Sequence, residues 1–273
     1  MPGVGDWLEI IADGQPEAKP TRHRERKTGM DIEDFELPLR DCLLRGSIHR
    51  DRGRRAPGTL ALHGGGRSSR LGYRPLLDFL ASHGHSSASF DFAGQGQSGG
   101  DLLRSSLAHR TGQALAVAGH LGMDRPVGLI ASSMGGHVAC GLIDALAPAA
   151  LVLYCPAAYE AAAQHLPFGP RFQQAIRATR CFKDSPAFEA LERFEGRLLL
   201  VLGAQDSVIP PEVEQEYASR AVRASSVELL RLPGAGHHLH AWLAERPAES
   251  AMVFARVLAT LGEAGDSRVA QKL

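Results

Sequence analysis

The chain has 273 residues, 44% of them apolar and 22% charged, which suits one large folded domain and excludes a disordered or fibrous protein. Thirty basic residues balance thirty acidic ones, so there is no global field to gather nucleic acid or an anionic membrane. Cys42, Cys140, Cys155 and Cys181 are widely spaced and never form C-x-x-C, against a zinc ribbon, a redox dithiol or a dense disulfide framework. With no signal-peptide core in residues 1–20 and no apolar run of membrane length, a reduced, cytoplasmic location is expected.

Residues 1–30 read as a polar arm with Pro2, Pro16 and Pro20. The arm ends in the basic run Arg22-His23-Arg24-Glu25-Arg26-Lys27, either mobile or covering a sheet edge. Without interleaved aromatics that run reads as solvated rather than as a nucleic-acid site. Residues 32–37 and 39–48 follow as two antiparallel strands divided at Pro38.

From there strand and helix alternate. Residues 59–63 form a short strand ending in three glycines, and 73–82 a helix with Leu76, Leu77, Phe79 and Leu80 on its apolar side. The same grammar gives strands at 87–92, 126–132, 151–154, 197–202 and 227–232, with helices at 105–121, 134–146, 212–222 and 241–261. Runs such as Leu198-Leu199-Leu200-Val201-Leu202 are apolar without alternation, as parallel strands covered on both faces require. The expected fold is α/β: a mostly parallel, doubly wound, eight-stranded sheet built from residues 31–155 and 197–262, with a polar tail at 263–273.

Between 156 and 196 the alternation stops for longer than an ordinary connection allows. This stretch after the sixth strand holds six of the sixteen aromatic residues, Tyr159, Phe168, Phe172, Phe182, Phe188 and Phe194. It is expected to be a short helical lid with an apolar inner face, Phe168, Phe172 and Phe182 lining an acyl pocket.

The strongest chemical signal is Leu129-Ile130-Ala131-Ser132-Ser133-Met134-Gly135-Gly136, a buried strand meeting a helix through a serine. A nucleophile on such a turn needs small residues two before and two after it, so that strand and helix can approach. Ala131 and Gly135 fill those places around Ser133. Centring on Ser132 instead would put Ile130 and Met134 there, which is sterically poor. A plain helix N-cap is the alternative for Ser133 taken alone.

At this point the chain resembles the α/β-hydrolase superfamily over about residues 32–262, most nearly its lid-bearing esterase, lipase and serine-aminopeptidase-like members. His63-Gly64-Gly65-Gly66 is similar to that superfamily's oxyanion loop. Asp91-Phe92-Ala93-Gly94-Gln95-Gly96-Gln97-Ser98-Gly99 resembles its D-x-x-G-x-G-x-S-x-G loop. Gly203-Ala204-Gln205-Asp206 resembles the acid loop, and Pro233-Gly234-Ala235-Gly236-His237 the histidine loop. The resemblance implies a triad of Ser133, Asp206 and His237, with the amides of Gly65 and Met134 as oxyanion donors and Gly66 an alternative to Gly65.

The chemistry asks for the same parts. A serine hydroxyl needs a neutral imidazole to take its proton, and the imidazole needs a carboxylate to fix its tautomer. A metal cluster of His237, His238 and His240 is the competing reading of the histidines. No cofactor and no metal is called for. The expected partner is a small-molecule acyl ester or thioester, with no nucleic acid and no membrane span; whether the protein is a dimer stays open. An ester hydrolase leads. A thioesterase or acyltransferase with the same triad comes second, Arg171, Arg177, Arg180 and Lys183 being candidates to meet a phosphate or carboxylate. A non-enzymatic binding module comes third.

Overall fold

The computed structural model describes residues 24–27, 30–51, 56–123, 128–179 and 181–262. The sheet begins with three antiparallel strands, β1 (Arg24–Lys27), β2 (Met30–Leu39) and β3 (Cys42–Asp51). The parallel strands are β4 (Thr59–Leu62), β5 (Ser87–Asp91), β6 (Gly128–Ser132), β7 (Ala150–Tyr154) and β8 (Arg197–Gly203), almost wholly buried although β5 is mostly serine and aspartate, and β9 (Ser226–Leu232) closes the far edge. Their order is β1-β2-β3-β5-β4-β6-β7-β8-β9, parallel from β5 onward.

The eight expected strands are joined by a ninth, β1, taken from the end of the basic arm and paired with residues 30–33 of β2. The rest of the arm before Met30, residues 1–23 and 28–29, and the 263–273 tail lie outside the described residues. Pro38 does not divide two strands: it lies within β2, paired with Leu43, and the turn comes at Arg40-Asp41. β1 ends short of that position, so the missing proline N–H costs no ladder bond on the outer side.

The helices are α1 (Arg74–Ser82), α2 (Leu107–His120), α3 (Met134–Cys140), α4 (Ile143–Leu146), α5 (Pro170–Ala178), α6 (Pro186–Leu191), α7 (Pro211–Arg220), α8 (Leu239–Ala244) and α9 (Pro247–Leu261). On one side of the sheet α1 packs on α9 through Phe79 and Phe254, while α2, α3, α6 and α7 pack in succession on the other. Two expected helices are each broken in two. The helix over 134–146 is interrupted at Gly141 and Leu142, glycine being a poor helix interior residue. That over 241–261 stops before Pro247, whose ring is compatible with the first turn of α9 but not with a helix running through it.

The 156–196 stretch also divides. Its first part carries α5 and buries Phe168 and Phe172 in a small cluster with Leu107 and Ala163. Its second part, with α6, Phe188 and Phe194, belongs to the main core, Phe188 meeting Tyr217 of α7 edge to face at 5.0 Å. Phe182 likewise packs on the main core. The aromatic enrichment thus comes from two populations of side chains.

The order β5-β4-β6 has one functional consequence. From β4 the chain steps one way to β5 and then returns past β4 to β6, so the connections leave β4 and β6 in opposite directions. Such a switch point leaves a crevice at the carboxyl ends of the strands. The triple glycine follows β4 and Ser133 follows β6, one on each side of it.

Candidate active site

Ser133 sits at φ 51° and ψ −121°, a conformation that side chains other than glycine rarely adopt and that costs about 1–3 kcal/mol. The surroundings hold it there. Its amide donates to the Tyr154 carbonyl at 2.9 Å, and its own carbonyl accepts from Gly136 at 2.9 Å and from Ala157 at 3.0 Å. Closeness of β4 to α3 requires Gly135: a Cβ there would lie 2.4 Å from the Leu62 carbonyl oxygen and 2.7 Å from that of His63.

Asp206 and His237 come from the loops after β8 and β9 and meet Ser133 in a single hydrogen-bonded row. His237 Nδ1 lies 2.8 Å from Asp206 Oδ2, and His237 Nε2 lies 3.0 Å from Ser133 Oγ. The Asp206 side chain is 1% exposed and that of His237 11%. Burial alone would raise the Asp206 pKa, but the hydrogen bond from His237 and the amides of Val208 and Ile209, at 2.8 and 3.1 Å, hold it below the usual carboxylate value. An ionised Asp206 accepts the Nδ1 proton, which leaves Nε2 as an acceptor facing the serine hydroxyl.

The triple-glycine loop lies against this row. A Cβ on Gly64 would stand 3.2 Å from the Ser133 Cβ, and one on Gly65 3.1 Å from the Met134 Cε. Among the described residues neither the Gly65 nor the Met134 amide finds an acceptor. Gly66 turns away at φ 62°, exposed, with open space around it. Beneath the loop, His63 is 2% exposed; its Nε2 accepts from the Phe92 amide at 3.1 Å, so Nδ1 carries the proton and donates to the Gly64 carbonyl at 2.8 Å. Burial and the neighbouring Arg110 lower the His63 pKa to about 4, which keeps it neutral. Asp91 is equally occupied, accepting from the Arg70 amide and guanidinium and from the Gln97 amide.

A second serine–histidine pair stands beside the first. Ser132 Oγ lies 2.7 Å from His240 Nε2 and 2.6 Å from the Tyr73 hydroxyl, which in turn donates to the Leu62 carbonyl at 2.9 Å. Because a carbonyl only accepts, the single Tyr73 proton goes to Leu62; Ser132 then donates to Tyr73, and His240 Nε2–H donates to Ser132. Burial lowers the His240 pKa to about 4. Tyr73 and His240 escape the motif reading, since Tyr73 sits at a helix start and His240 is one of three histidines in the stretch after Gly236.

The histidines at 237, 238 and 240 are differently engaged: His237 bonds Ser133, His240 bonds Ser132, and His238 is exposed, its ring edge-on to that of His237 at 5.6 Å. The metal-capable group found among the described residues is instead Cys155, Asp206 and His237, with ligand atoms within 4.8 Å of one another. Asp206 and His237 are already engaged in the row, Cys155 Sγ takes the Gly203 amide at 3.4 Å, and burial pushes the Cys155 thiol well up, away from the thiolate a metal would take.

Phe168 and Phe172 stack edge to face at 4.9 Å and pack beside Met134, yet at 7% and 3% exposure they close on each other rather than onto open space. Phe182 is not with them. Arg171 and Lys183 are exposed, Arg177 lies in the last turn of α5, and Arg180 lies outside the described residues.

No protein-family model and no curated sequence matches the chain. Solved structures do. An esterase from Pyrococcus furiosus is similar over 90% of this chain and 100% of its own, with 21% identity and a TM-score of 0.63. A 2-hydroxy-6-oxo-6-phenylhexa-2,4-dienoate hydrolase from Rhodococcus is similar over 83% and 99%, with 17% identity and a TM-score of 0.58. A thioesterase domain from the curacin biosynthetic pathway is similar over 87% and 100%, with 19% identity and a TM-score of 0.54. Sheet order, loop placement and these likenesses together give the chain the α/β-hydrolase fold.

Proposed function

We propose that the protein is a cofactor-independent serine hydrolase that cleaves a carboxylic ester through an acyl-enzyme on Ser133. The observation that carries this reading is the row Ser133–His237–Asp206, set on a strained turn at a switch point of the sheet. In the forward step His237 Nε2 takes the hydroxyl proton while Oγ attacks the ester carbonyl, and Asp206 steadies the imidazolium. The tetrahedral oxyanion is held by the amides of Gly65 and Met134, neither of which has an acceptor among the described residues. His237 returns the proton to the departing alcohol. Water, activated by the same imidazole, then releases the acid.

Residues 156–185 act in this reading as a cover, docked by Phe168 and Phe172 on Leu107 at the start of α2. The acyl chain rests between that cover and the Met134 side chain. A thioester substrate remains the second reading, favoured by the basic groups Arg171, Arg177 and Lys183 in and after α5.

A fluorophosphonate probe tests the proposal. Labelling of Ser133 in the wild-type protein, absent in Ser133→Ala, is the expected result, and labelling that persists in the variant would remove Ser133 as nucleophile. A panel of p-nitrophenyl esters of rising chain length beside acyl thioesters separates the two substrate readings.

A further inference from the structure

Arg110, on α2, is 1% exposed. Its guanidinium lies between the Phe92 and Phe168 rings, 4.7 and 4.8 Å from their centroids. Among the described residues no carboxylate pairs with it, and burial lowers its pKa only to about 10, so it is a cation at neutral pH. A buried cation without a counter-ion is costly and needs acceptors. Two are present. Nη1 donates to the Gly64 carbonyl at 3.3 Å, sharing it with His63 Nδ1 at 2.8 Å, and Nη2 donates to Gln95 Oε1. Gln95 passes the grip on, its Nε2 donating to the Gly66 carbonyl at 2.6 Å.

Three successive glycines have no side chain with which to fix their own loop, and glycine is the residue with most backbone freedom to lose. In a planar trans peptide the carbonyl of one residue and the amide of the next point in opposite directions. Pinning the Gly64 carbonyl inward therefore turns the Gly65 N–H outward, on the side where the loop meets Ser133 and Met134. The positive charge behind the carbonyl also polarises that peptide, making its N–H a stronger donor.

The geometry points to Arg110, with Gln95, as the positioning residue that aims and polarises the Gly65 amide as an oxyanion donor from beneath the loop. The inference deepens the ester-hydrolase reading and rests on it for its kinetic consequence. Its structural consequence stands alone.

Two measurements on Arg110→Met test it, Met keeping bulk without charge or donors. The first needs no turnover: backbone order parameters of Gly64, Gly65 and Gly66 should fall from the rigid range near 0.85 to below about 0.6, while those of β4 stay unchanged. The second is kinetic. On an ester that the wild type hydrolyses, kcat should fall roughly tenfold to a hundredfold with KM within about twofold, and affinity for a trifluoromethyl ketone should fall by the same factor. Arg110→Lys, which keeps the charge but not the fork, should recover part of the loss. Should Arg110→Met not fold, Gln95→Met is expected to show the same pattern at smaller amplitude and decides in its place. Unchanged loop order in a folded variant, or a loss expressed in KM alone, would overturn the inference. A wild type that is neither labelled nor active, together with a loosened loop in the variant, would sink the hydrolase reading and leave the loop assignment standing.

Discussion

Ser132 and Ser133 are adjacent, and each bonds a histidine from the same short stretch of chain, yet the two pairs are built for opposite tasks. Ser133 occupies a left-handed backbone conformation at a turn; its histidine has a carboxylate behind it and an unprotonated nitrogen in front. Ser132 ends a regular strand, and its histidine, with no carboxylate partner among the described residues, presents an N–H. A Ser–His distance near 2.7–3.0 Å occurs in both, so proximity alone does not mark a nucleophile. What distinguishes them is the third partner, which sets the tautomer, and the backbone that carries the hydroxyl out of the strand.

The sharpest way to break the comparison is to remove the members of one pair at a time. Ser133→Ala and His237→Ala should each lower kcat by roughly 10^4- to 10^6-fold without changing the thermal midpoint by more than a few degrees. Asp206→Asn should cost about 10^3- to 10^4-fold, because the wrong tautomer is then favoured at His237. Ser132→Ala should leave turnover within about threefold but lower stability by about 1–3 kcal/mol, since the His240 N–H loses its acceptor and Tyr73 one of its two partners. A Ser132→Ala variant as inactive as Ser133→Ala would place the chemistry in the wrong pair.

A further expected effect, outside both pairs except at His240, is on acid stability. Burial lowers the pKa of His63, His137 and His240 to about 4, whereas in the unfolded chain each titrates near 6.5. The unfolded state therefore binds more protons between those values, and stability should be full above about pH 6.5 and fall by about 3 kcal/mol for each of these histidines as pH drops toward 4. Thermal midpoints across that range should slope downward on acidification, and His240→Gln should flatten the slope. An identical slope in that variant would mean that His240 is not held neutral.

How much of the molecule is legible in its sequence follows from what kind of signal each part leaves. Strands β7 and β8 are the most visible because burial on both faces demands unbroken apolar runs, whereas β5, Ser-Ala-Ser-Phe-Asp, is as buried without such a run. Ser133 is visible because the turn demands Ala131 and Gly135. Tyr73, 59 residues from Ser132, and His240, 108 residues away, leave no local pattern, because their placement comes from the packing of α1 and α8. Arg110 does leave one. It lies on the apolar side of α2 with Leu107, Ala114 and Val117, where a charge is out of place unless something within takes it up. The aromatic residues of 156–196 mislead in detail, since composition does not distinguish rings that dock a segment from rings that fill the main core.

The row from Ser133 to His237 spans 104 residues of chain, and every member sits where a strand of the parallel sheet has just ended. A chain that has formed β4 to β7 but has not yet laid down β9 owns a strained serine and no base. Parallel pairing is the slow part of assembling such a topology, because each long loop must close before its contacts are gained. Recovery of turnover after denaturation should therefore trail recovery of helical signal, and nascent or truncated chains ending before β9 should be chemically inert. In the proposed reading, the same arrangement that builds the nucleophile early in the sequence withholds its activation until the last strand is in place.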